Sequence, residues 1–274
     1  MATPKQETSG STGQASSNSL SFNPADFDKN STNINNAFFP LKPGTAFVYK
    51  STDGSSVDTE VVTDKIRKID GVNCVVVDDT VADNGSVTEH TLDYYGQDKK
   101  GNVWYFGEDS QQIQNGKVVG TEGSWLAGEV PQGGQNPAKP GIIMEANPQL
   151  GDSYNQENAL PVAEDAAQIL SLDASASVPF RDFNGGLLLT LETSTVEPGA
   201  AEVKYYAKGV GEVSERDLVT QEQLDLESVD HNSSKLVQAM ASFDASNPGT
   251  STPSPTQTTN DSGMQQIVAA HGQA

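Results

Sequence analysis

The sequence predicts an all-β protein whose strands follow one another as an antiparallel meander. Short runs of alternating or β-branched residues recur along the chain, and turn dipeptides such as Asp70-Gly71 and Asn115-Gly116 separate them. Asp-Gly and Asn-Gly adopt the positive φ angles that two-residue hairpin turns need. No segment has the periodicity of a helix longer than three turns. Consecutive hairpins are therefore predicted over most of the chain.

The first half of the predicted sheet can be followed strand by strand. Its runs are TAFVYKS, VDTEVVTDKIRKI, VNCVVVDDTVA, VTEHTLDYY and VWYFGED. A turn signal follows each of the first four runs: Asp53-Gly54, Asp70-Gly71, Asn84-Gly85 and Gly101-Asn102. A fifth turn signal, Asn115-Gly116, joins two short runs that follow VWYFGED. The regular spacing indicates that neighbouring runs pair with each other.

The second half is less regular. Residues 127–160 are rich in Gly and Pro and are interpreted as a functional loop that covers an opening. Pro161, followed by Glu164 and Asp165, suits the first turn of a short helix, but ILSLDASASVPF fits a strand about equally well. Strands then resume in GLLLTLETS, AEVKYYAK, GVGEVSERD and QEQLDLESV, for a total of about ten.

Composition divides the chain into three parts. Residues 1–33 are rich in Ser, Thr, Asn and Gln and are predicted to be a flexible leader. Residues 34–230 are predicted to form a single β domain. Residues 231–274 are predicted to be a mostly flexible tail rich in Ser, Thr and Pro.

The charge of the chain excludes several kinds of partner. With 37 acidic and 16 basic residues the net charge is -21, so the surface repels phosphate backbones and anionic lipids. Nucleic acid is therefore not expected as a partner. No apolar run approaches the ~20 residues of a spanning helix, so membrane insertion is not expected either.

The start of the chain bears on its location. MATPKQETSGSTGQASSNS has no hydrophobic region of the kind found in signal peptides. We favour an exported protein from which such a peptide has been removed, which predicts an extracellular or periplasmic location. Cys74 is the only cysteine, so no intramolecular disulfide is expected, and a buried inert thiol is favoured over a nucleophile.

Three segments carry a resemblance to known proteins. NNAFFPLKPGTAFVY (35–49), ASVPFRDFNGGLLLT (176–190) and KYYAKGVGEV (204–213) resemble segments of a group of uncharacterised exported bacterial proteins. The resemblance implies a strongly curved antiparallel sheet or incomplete β-barrel with few short helices, similar to periplasmic carriers of the lipoprotein-localisation-factor type. It implies no catalytic residue.

An aromatic cluster suggests a ligand site. The hairpin around LDYYGQDKKGNVWYFGED has aromatic side chains on both faces, with Asp93 and Tyr95 predicted on the face opposite Leu92 and Tyr94. One set would enter the core, and the other could stack on a sugar or another flat apolar group. Cross-strand aromatic pairing alone also explains the cluster and is the simpler interpretation. The predicted ligand-binding residues are Tyr94, Tyr95, Trp104, Tyr105 and Trp125.

Carboxylates close to this hairpin in the sequence suggest a cation. Ca²⁺ takes six to eight oxygen ligands, and an acidic surface would attract it, although no EF-hand spacing is present. The predicted metal ligands are Asp98, Glu108, Glu157, Glu164 and Asp165. Ca²⁺ is the only cofactor that these residues suggest, and a zinc site is disfavoured because the three histidines lie far apart in the sequence.

The sequence thus favours an exported binding protein that captures a small hydrophobic or carbohydrate ligand, with a bound divalent cation as an addition. Two alternatives come from other classes. A carboxylate-dependent hydrolase or lyase acting on an extracellular polymer would use a pair of acidic side chains, such as Glu108 with Glu157 or Glu164. A surface or matrix structural protein would bind no small molecule. The sequence does not indicate the oligomeric state.

Overall fold

A computed structural model describes residues 20–233 of the chain. These residues contain one 3-10 turn, Pro24–Asp26, and 17 β-strands. Residues 1–19 and 234–274, which make up most of the predicted leader and tail, lie outside the described part. No helix within residues 20–233 has the length and apolar character needed to cross a bilayer.

In chain order, the strands are β1 Ile34–Asn35, β2 Pro40–Leu41, β3 Ala46–Ser51, β4 Ser56–Ile69, β5 Val72–Asp83, β6 Ser86–Gln97, β7 Val103–Gln114, β8 Lys117–Gly120, β9 Trp125–Leu126, β10 Lys139–Met144, β11 Ser153–Asn155, β12 Glu157–Asn158, β13 Asp165–Val178, β14 Arg181–Ser194, β15 Ala201–Ala207, β16 Gly211–Asp217 and β17 Gln223–Asp230.

Fifteen of these strands form one antiparallel sheet, and β1 and β2 form a separate pair. The order in the large sheet is β11-β13-β14-β15-β16-β17-β3-β4-β5-β6-β7-β10-β12, and β8 and β9 pair with β7 away from this path. The sheet curves without closing. The predicted all-β antiparallel fold is confirmed.

The meander from β3 to β7 forms as its turn residues predict. Asp70 has φ 42° and Gly71 has φ 88°, and the Asn84-Gly85 and Asn115-Gly116 turns also have two positive φ angles each. These are the backbone angles that two-residue hairpins require, and Asn, Asp and Gly reach them at little steric cost. The turns thus bring β4, β5 and β6 together in sequence order.

The two ends of the sheet are adjacent in the chain. β11 pairs with β13 and β12 pairs with β10, while Gln156 alone separates β11 from β12. The segment 153–158 therefore runs from one end of the strand order to the other. The Gly- and Pro-rich region that contains it is not a structureless loop, since β9, β10, β11 and β12 all lie between residues 125 and 158.

A short helix after Pro161 is not formed. Asp165 begins β13, which pairs with β11 on one side and β14 on the other. The first part of this strand alternates, with Asp165, Ala167 and Ile169 buried and the residues between them more exposed. A period of two fits a sheet with one buried face and is incompatible with a helix. The helical interpretation was therefore wrong.

The packed part of the chain begins before residue 34. Phe27 is buried, and its ring lies 6.1 Å from that of Trp104 and 5.6 Å from that of Phe106. Phe22 contacts the same two rings at 5.8 Å and 5.7 Å. Residues 20–33, which the composition assigns to the leader, thus contribute two aromatic side chains to the contacts of the β domain.

Candidate functional site: an acidic cavity

A cavity of about 70 Å³ lies against one face of the large sheet. Its polar lining consists of Asp58, Glu60, Asp79, Asp93, Glu108, Glu212, Glu215 and Lys204. Its aromatic lining consists of Phe39, Tyr49, Tyr95, Tyr105 and Tyr206. These residues come from strands on both sides of β3 in the sheet order, so the curved sheet wraps around the cavity.

Strand geometry explains why three of the carboxylates meet. Asp58 and Glu60 are two residues apart on β4, and side chains at this spacing point to the same face. Glu60 lies directly across from Asp79 on β5. One potential ligand oxygen from each of the three lies within 4.8 Å of those from the other two. Within residues 20–233, this is the one place where three or more His, Cys, Asp or Glu side chains meet this condition.

A pair of carboxylates lies on the next two strands, β6 and β7. Asp93 on β6 is opposite Glu108 on β7. The Tyr105 hydroxyl lies 2.6 Å from Asp93 Oδ1 and 3.0 Å from Glu108 Oε2. A hydroxyl has a single proton to donate, so both contacts are hydrogen bonds only when one of the carboxyls is itself protonated. Like charges directly opposite each other otherwise destabilise a sheet.

Burial changes the acidity of these groups. Desolvation, reinforced by neighbouring carboxylates, raises the pKa of Glu60, Asp79 and Glu108 well above the usual range. Desolvation also raises the pKa of Asp93 to about 7, against the lowering effect of the Tyr105 hydrogen bond. At neutral pH the cavity therefore binds protons that the same side chains would lose in water.

Lys204 supplies the positive charge in the lining. Its side chain is 5% exposed, and its Nζ lies 3.1 Å from Glu215, 3.3 Å from Glu202 and 3.9 Å from Glu192. Burial alone would lower the pKa of Lys204, but these carboxylates raise it overall. Its charge is thus matched mainly by acidic groups on β14, β15 and β16, and it also opposes the desolvation that raises the pKa of Glu60 on β4.

The structure divides the five predicted aromatic ligand residues between the two faces. Tyr95 and Tyr105 line the cavity and stack with ring centroids 5.0 Å apart. Tyr94 lies on the opposite face, as the alternation predicts, where its hydroxyl donates to Asp109 at 2.7 Å and Arg67 covers its ring. Two of the five therefore reach the cavity wall at this hairpin.

The two tryptophans contribute to packing close to the cavity. Trp104 packs on Phe22 and Phe27, and its Nε1–H donates to Asp98 Oδ2 at 3.0 Å. Trp125 makes an edge contact with Tyr105 at 5.6 Å and donates from Nε1–H to Glu157 Oε1 at 3.1 Å. Both are buried and neither lines the cavity.

Three of the five predicted metal ligands, Glu108, Glu157 and Asp165, are neighbours: after desolvation, the charge of Glu157 raises the pKa of Glu108, and that of Asp165 raises the pKa of Glu157. Glu108 lines the cavity, whereas Asp98 holds the turn before β7 by accepting from the backbone N–H groups of Lys100 and Asn102. Glu157 is buried beside Trp125, and Asp165 is buried at the start of β13. Glu164 accepts a hydrogen bond from the Thr195 hydroxyl. None of the five belongs to the three-carboxylate group.

Sequence reasoning missed Asp58, Glu60 and Asp79. A signal for the first two exists, since VDTEVV places Asp58 and Glu60 at alternating positions within a β-branched run, whereas VVVDDTV carries two adjacent aspartates, Asp78 and Asp79. Alternation puts such side chains on one face of a strand. It does not show whether that face is buried, because the same pattern also suits a solvated face of an antiparallel sheet.

The raised pKa of Asp93 leads to a stability prediction for Asp93→Asn. The wild-type protein loses stability as the pH rises from about 4 through about 7, because the folded state holds a proton that the unfolded state releases near 3.8. The variant lacks this titration. Its stability relative to wild type should therefore increase over this range, by up to about 4 kcal/mol at pH 8.

Urea unfolding at pH 4, 6 and 8, followed by circular dichroism, measures this difference. The pH 4 curves act as the internal reference, because there both proteins carry a neutral side chain at position 93. A stability difference that is the same at all three pH values would contradict the prediction.

The chain is similar in structure to two solved proteins at low sequence identity. No family model matches the chain, and no curated protein is similar to it. One similar solved structure, described as a "putative exported protein with YmcC-like fold", comes from Bacteroides fragilis; it is 13% identical, with a TM-score of 0.41, over 71% of this chain and 99% of that one. Another, described as a "putative lipoprotein", comes from Parabacteroides distasonis; it is also 13% identical, with a TM-score of 0.36 over the same shares.

Proposed function

We propose that this protein is an exported binding protein that captures a small, positively charged ligand in the acidic cavity. The observation that carries the proposal is the lining. Asp58, Glu60, Asp79, Asp93 and Glu108 contribute carboxylates to the cavity, and Lys204, the one cationic residue of the lining, is engaged by other glutamates. Such a lining attracts cations and repels anions.

Energetics support a cationic ligand. A buried carboxylate that lacks a counter-charge costs several kcal/mol and takes up a proton instead of remaining ionised. A bound cation would supply the counter-charge and allow the groups to ionise. The net charge of -21 would also concentrate cations at the surface and speed their capture.

The size of the cavity supports a small ligand. Pockets for drug-sized molecules have volumes of roughly 300–1,000 Å³, and one water molecule takes up about 30 Å³ in the liquid. A cavity of about 70 Å³ matches a metal ion with a few waters, or the ammonium head of an organic cation. The hydrophobic or carbohydrate ligand expected from the sequence stays a prediction.

The other expectations from the sequence stay predictions. The resemblance to uncharacterised exported bacterial proteins implies a fold similar to that of periplasmic carriers, which supports a binding role, and export supports a ligand met outside the cytoplasm. Neither bears on the identity of the ligand. The hydrolase or lyase and the structural protein are kept as alternatives, with no contact in the cavity that favours either.

Calorimetric titration of chelator-treated, dialysed protein at pH 8 tests the proposal. CaCl₂, MgCl₂ and methylammonium chloride are injected separately, and at least one is expected to bind with 1:1 stoichiometry. Bound ligand should also raise the thermal midpoint, since a ligand at 100 times its dissociation constant adds about 2.7 kcal/mol of stability.

Two variants accompany this titration, one that tests the cavity and one that serves as the control. Glu108→Gln removes a cavity carboxylate and should weaken binding of the active cation, whereas Glu129→Gln removes an exposed carboxylate outside the lining and should leave binding unchanged. Heats of dilution alone for all three cations, with no shift in the thermal midpoint, would show that the proposal is wrong.

A further inference from the structure

We propose that the ligand is a divalent cation of the Ca²⁺ type and that Asp58, Glu60 and Asp79 are its protein ligands. This inference rests on the proposed function and names both the chemical class of the ligand and the place where it binds. It moves the metal site from the five residues predicted by the sequence to a group formed by β4 and β5.

The spacing of the three side chains fits one ion. Ca²⁺ binds oxygen at 2.3–2.6 Å, so two oxygens bound to the same ion lie at most about 5 Å apart. The three carboxylates of Asp58, Glu60 and Asp79 each place an oxygen within 4.8 Å of the others. The backbone that carries them is a paired ladder, with Asp58 opposite Val81 and Glu60 opposite Asp79. The group is therefore held by two neighbouring strands instead of a loop.

Unsatisfied oxygens give a second, independent indication of a ligand. Glu108 lies outside the group but lines the same cavity, and it is only 1% exposed. Its Oε1 accepts no hydrogen bond. Oδ1 of Asp79 also has no partner, while the Asp79 carboxyl is hydrogen-bonded to the side chain of Asp58. Leaving a buried acceptor unpaired costs about 1–3 kcal/mol, and more when the group is charged. A cation bound by Asp79 would give its Oδ1 a partner by direct ligation.

The donor chemistry selects the class of metal. The cavity lining, which is formed by residues between 39 and 224 of the described chain, contains carboxylate and phenol oxygens but no cysteine or histidine. Oxygen-only sites suit Ca²⁺, Mg²⁺ and Mn²⁺, whereas Zn²⁺ and Cu²⁺ favour sites with imidazole or thiolate ligands. Three converging carboxylates also carry more negative charge than a single ammonium group can match. A hard divalent ion is therefore the favoured occupant.

Terbium luminescence offers a direct measurement, because Tb³⁺ substitutes for Ca²⁺ and is excited through nearby tyrosines. Tyr49, Tyr95 and Tyr105 line the cavity. Chelator-treated full-length protein is titrated with TbCl₃, and CaCl₂, MgCl₂, MnCl₂ or methylammonium chloride is then added as competitor. We expect tyrosine-sensitised emission that Ca²⁺ or another divalent ion displaces at 1:1 stoichiometry, and that methylammonium does not.

Variants locate the ion. Glu60→Gln, at a partly buried position, should weaken divalent binding at least about tenfold, since loss of even an outer-shell partner commonly costs 10–100-fold. Asp79→Asn should do the same and provides the test if Glu60→Gln does not fold by circular dichroism. Glu129→Gln is the control, because it removes an exposed carboxylate outside the cavity lining and should change affinity less than threefold.

The outcomes separate the inference from the proposed function. Methylammonium binding without divalent binding would overturn the metal site while leaving a cation-binding protein. Divalent binding that is unchanged in both Glu60→Gln and Asp79→Asn would overturn the assignment of the three ligands. Absence of binding by every cation would overturn the inference and the proposed function together.

Discussion

Replacing Lys204 with methionine is expected to lower the free energy of unfolding by about 3–5 kcal/mol, because removing one partner of a buried ion pair leaves the other charge uncompensated. Lys204 Nζ lies 3.1 Å from Glu215 and 3.3 Å from Glu202, and the lysine side chain is 5% exposed. Methionine fills a similar volume, so most of the loss comes from the unmatched carboxylates and little from a cavity. Urea unfolding at pH 7.5 with linear extrapolation measures the change.

The control for this variant is Lys117→Met, at an exposed position on β8. Exposed substitutions of this kind change stability by about 0.5 kcal/mol or less. The double variant Lys204→Met/Glu215→Gln should recover part of the loss, because it removes one of the unmatched charges. A loss below about 1 kcal/mol in Lys204→Met would contradict the assigned role of this lysine.

Replacing Gly107 with alanine is expected to destabilise the fold by about 3 kcal/mol or more. Gly107 has φ 116°, a conformation that residues with a side chain rarely adopt, and it pairs with Leu126 on β9. A Cβ at this position would lie 2.1 Å from the carbonyl oxygen of Trp125. That atom belongs to the paired backbone, so relief requires β9 to move away from β7.

Gly199→Ala separates backbone strain from steric overlap. Gly199 has φ 102°, but a Cβ there would meet no atom within 4 Å. This control carries the conformational penalty alone and should cost roughly 1–3 kcal/mol. Thermal unfolding of the two variants beside wild type measures both effects. Equal midpoints for Gly107→Ala and Gly199→Ala would show that the strand contact at Gly107 adds nothing.

The meander from β3 to β7 could be predicted from the sequence because its determinants are local. Dipeptides such as Asp70-Gly71 specify both the position and the geometry of a hairpin turn. The start of β13 could not be separated from a helix, since Pro161, Glu164 and Asp165 satisfy the rules for a helix N-terminus. Pairing with β11 and β14, which depends on distant residues, decided that segment.

The three-carboxylate group was missed because its geometry depends on a bulge. An uninterrupted ladder starting from the Ile69–Val72 pair at the turn would place Val81 opposite Glu60. The irregularity between Val62 and Ile66 shifts the register so that Asp79 lies opposite Glu60 instead. Bulges insert residues into one strand, and no local pattern in this sequence marks them.

In the aromatic hairpin, the alternation of side chains along a strand predicts which residues share a face of the sheet, but not which face borders the cavity. The sequence separated Tyr94 from Tyr95 by face, and this separation is confirmed by the contacts of Tyr94 with Asp109 and Arg67. Alternation could not show which face borders a cavity, because that depends on β15 and β16 packing across the curved sheet. Lys204 and Tyr206 come from β15, far along the chain from the hairpin they face.

The pairing of β3 with β17 determines how much of the chain must be synthesised before the sheet and the cavity wall can be completed. Strand β3 pairs with β4 along one edge and with β17 along the other, where Phe47 lies opposite Val229. The second edge therefore stays unpaired until nearly the whole described chain has been made. Contacts between residues so far apart in sequence slow folding, since a long loop must close before they form. Tyr49 on β3 and Leu224 on β17 both line the cavity. A nascent chain that ends before residue 223 would therefore lack part of the cavity wall and leave two strand edges open to association with other chains.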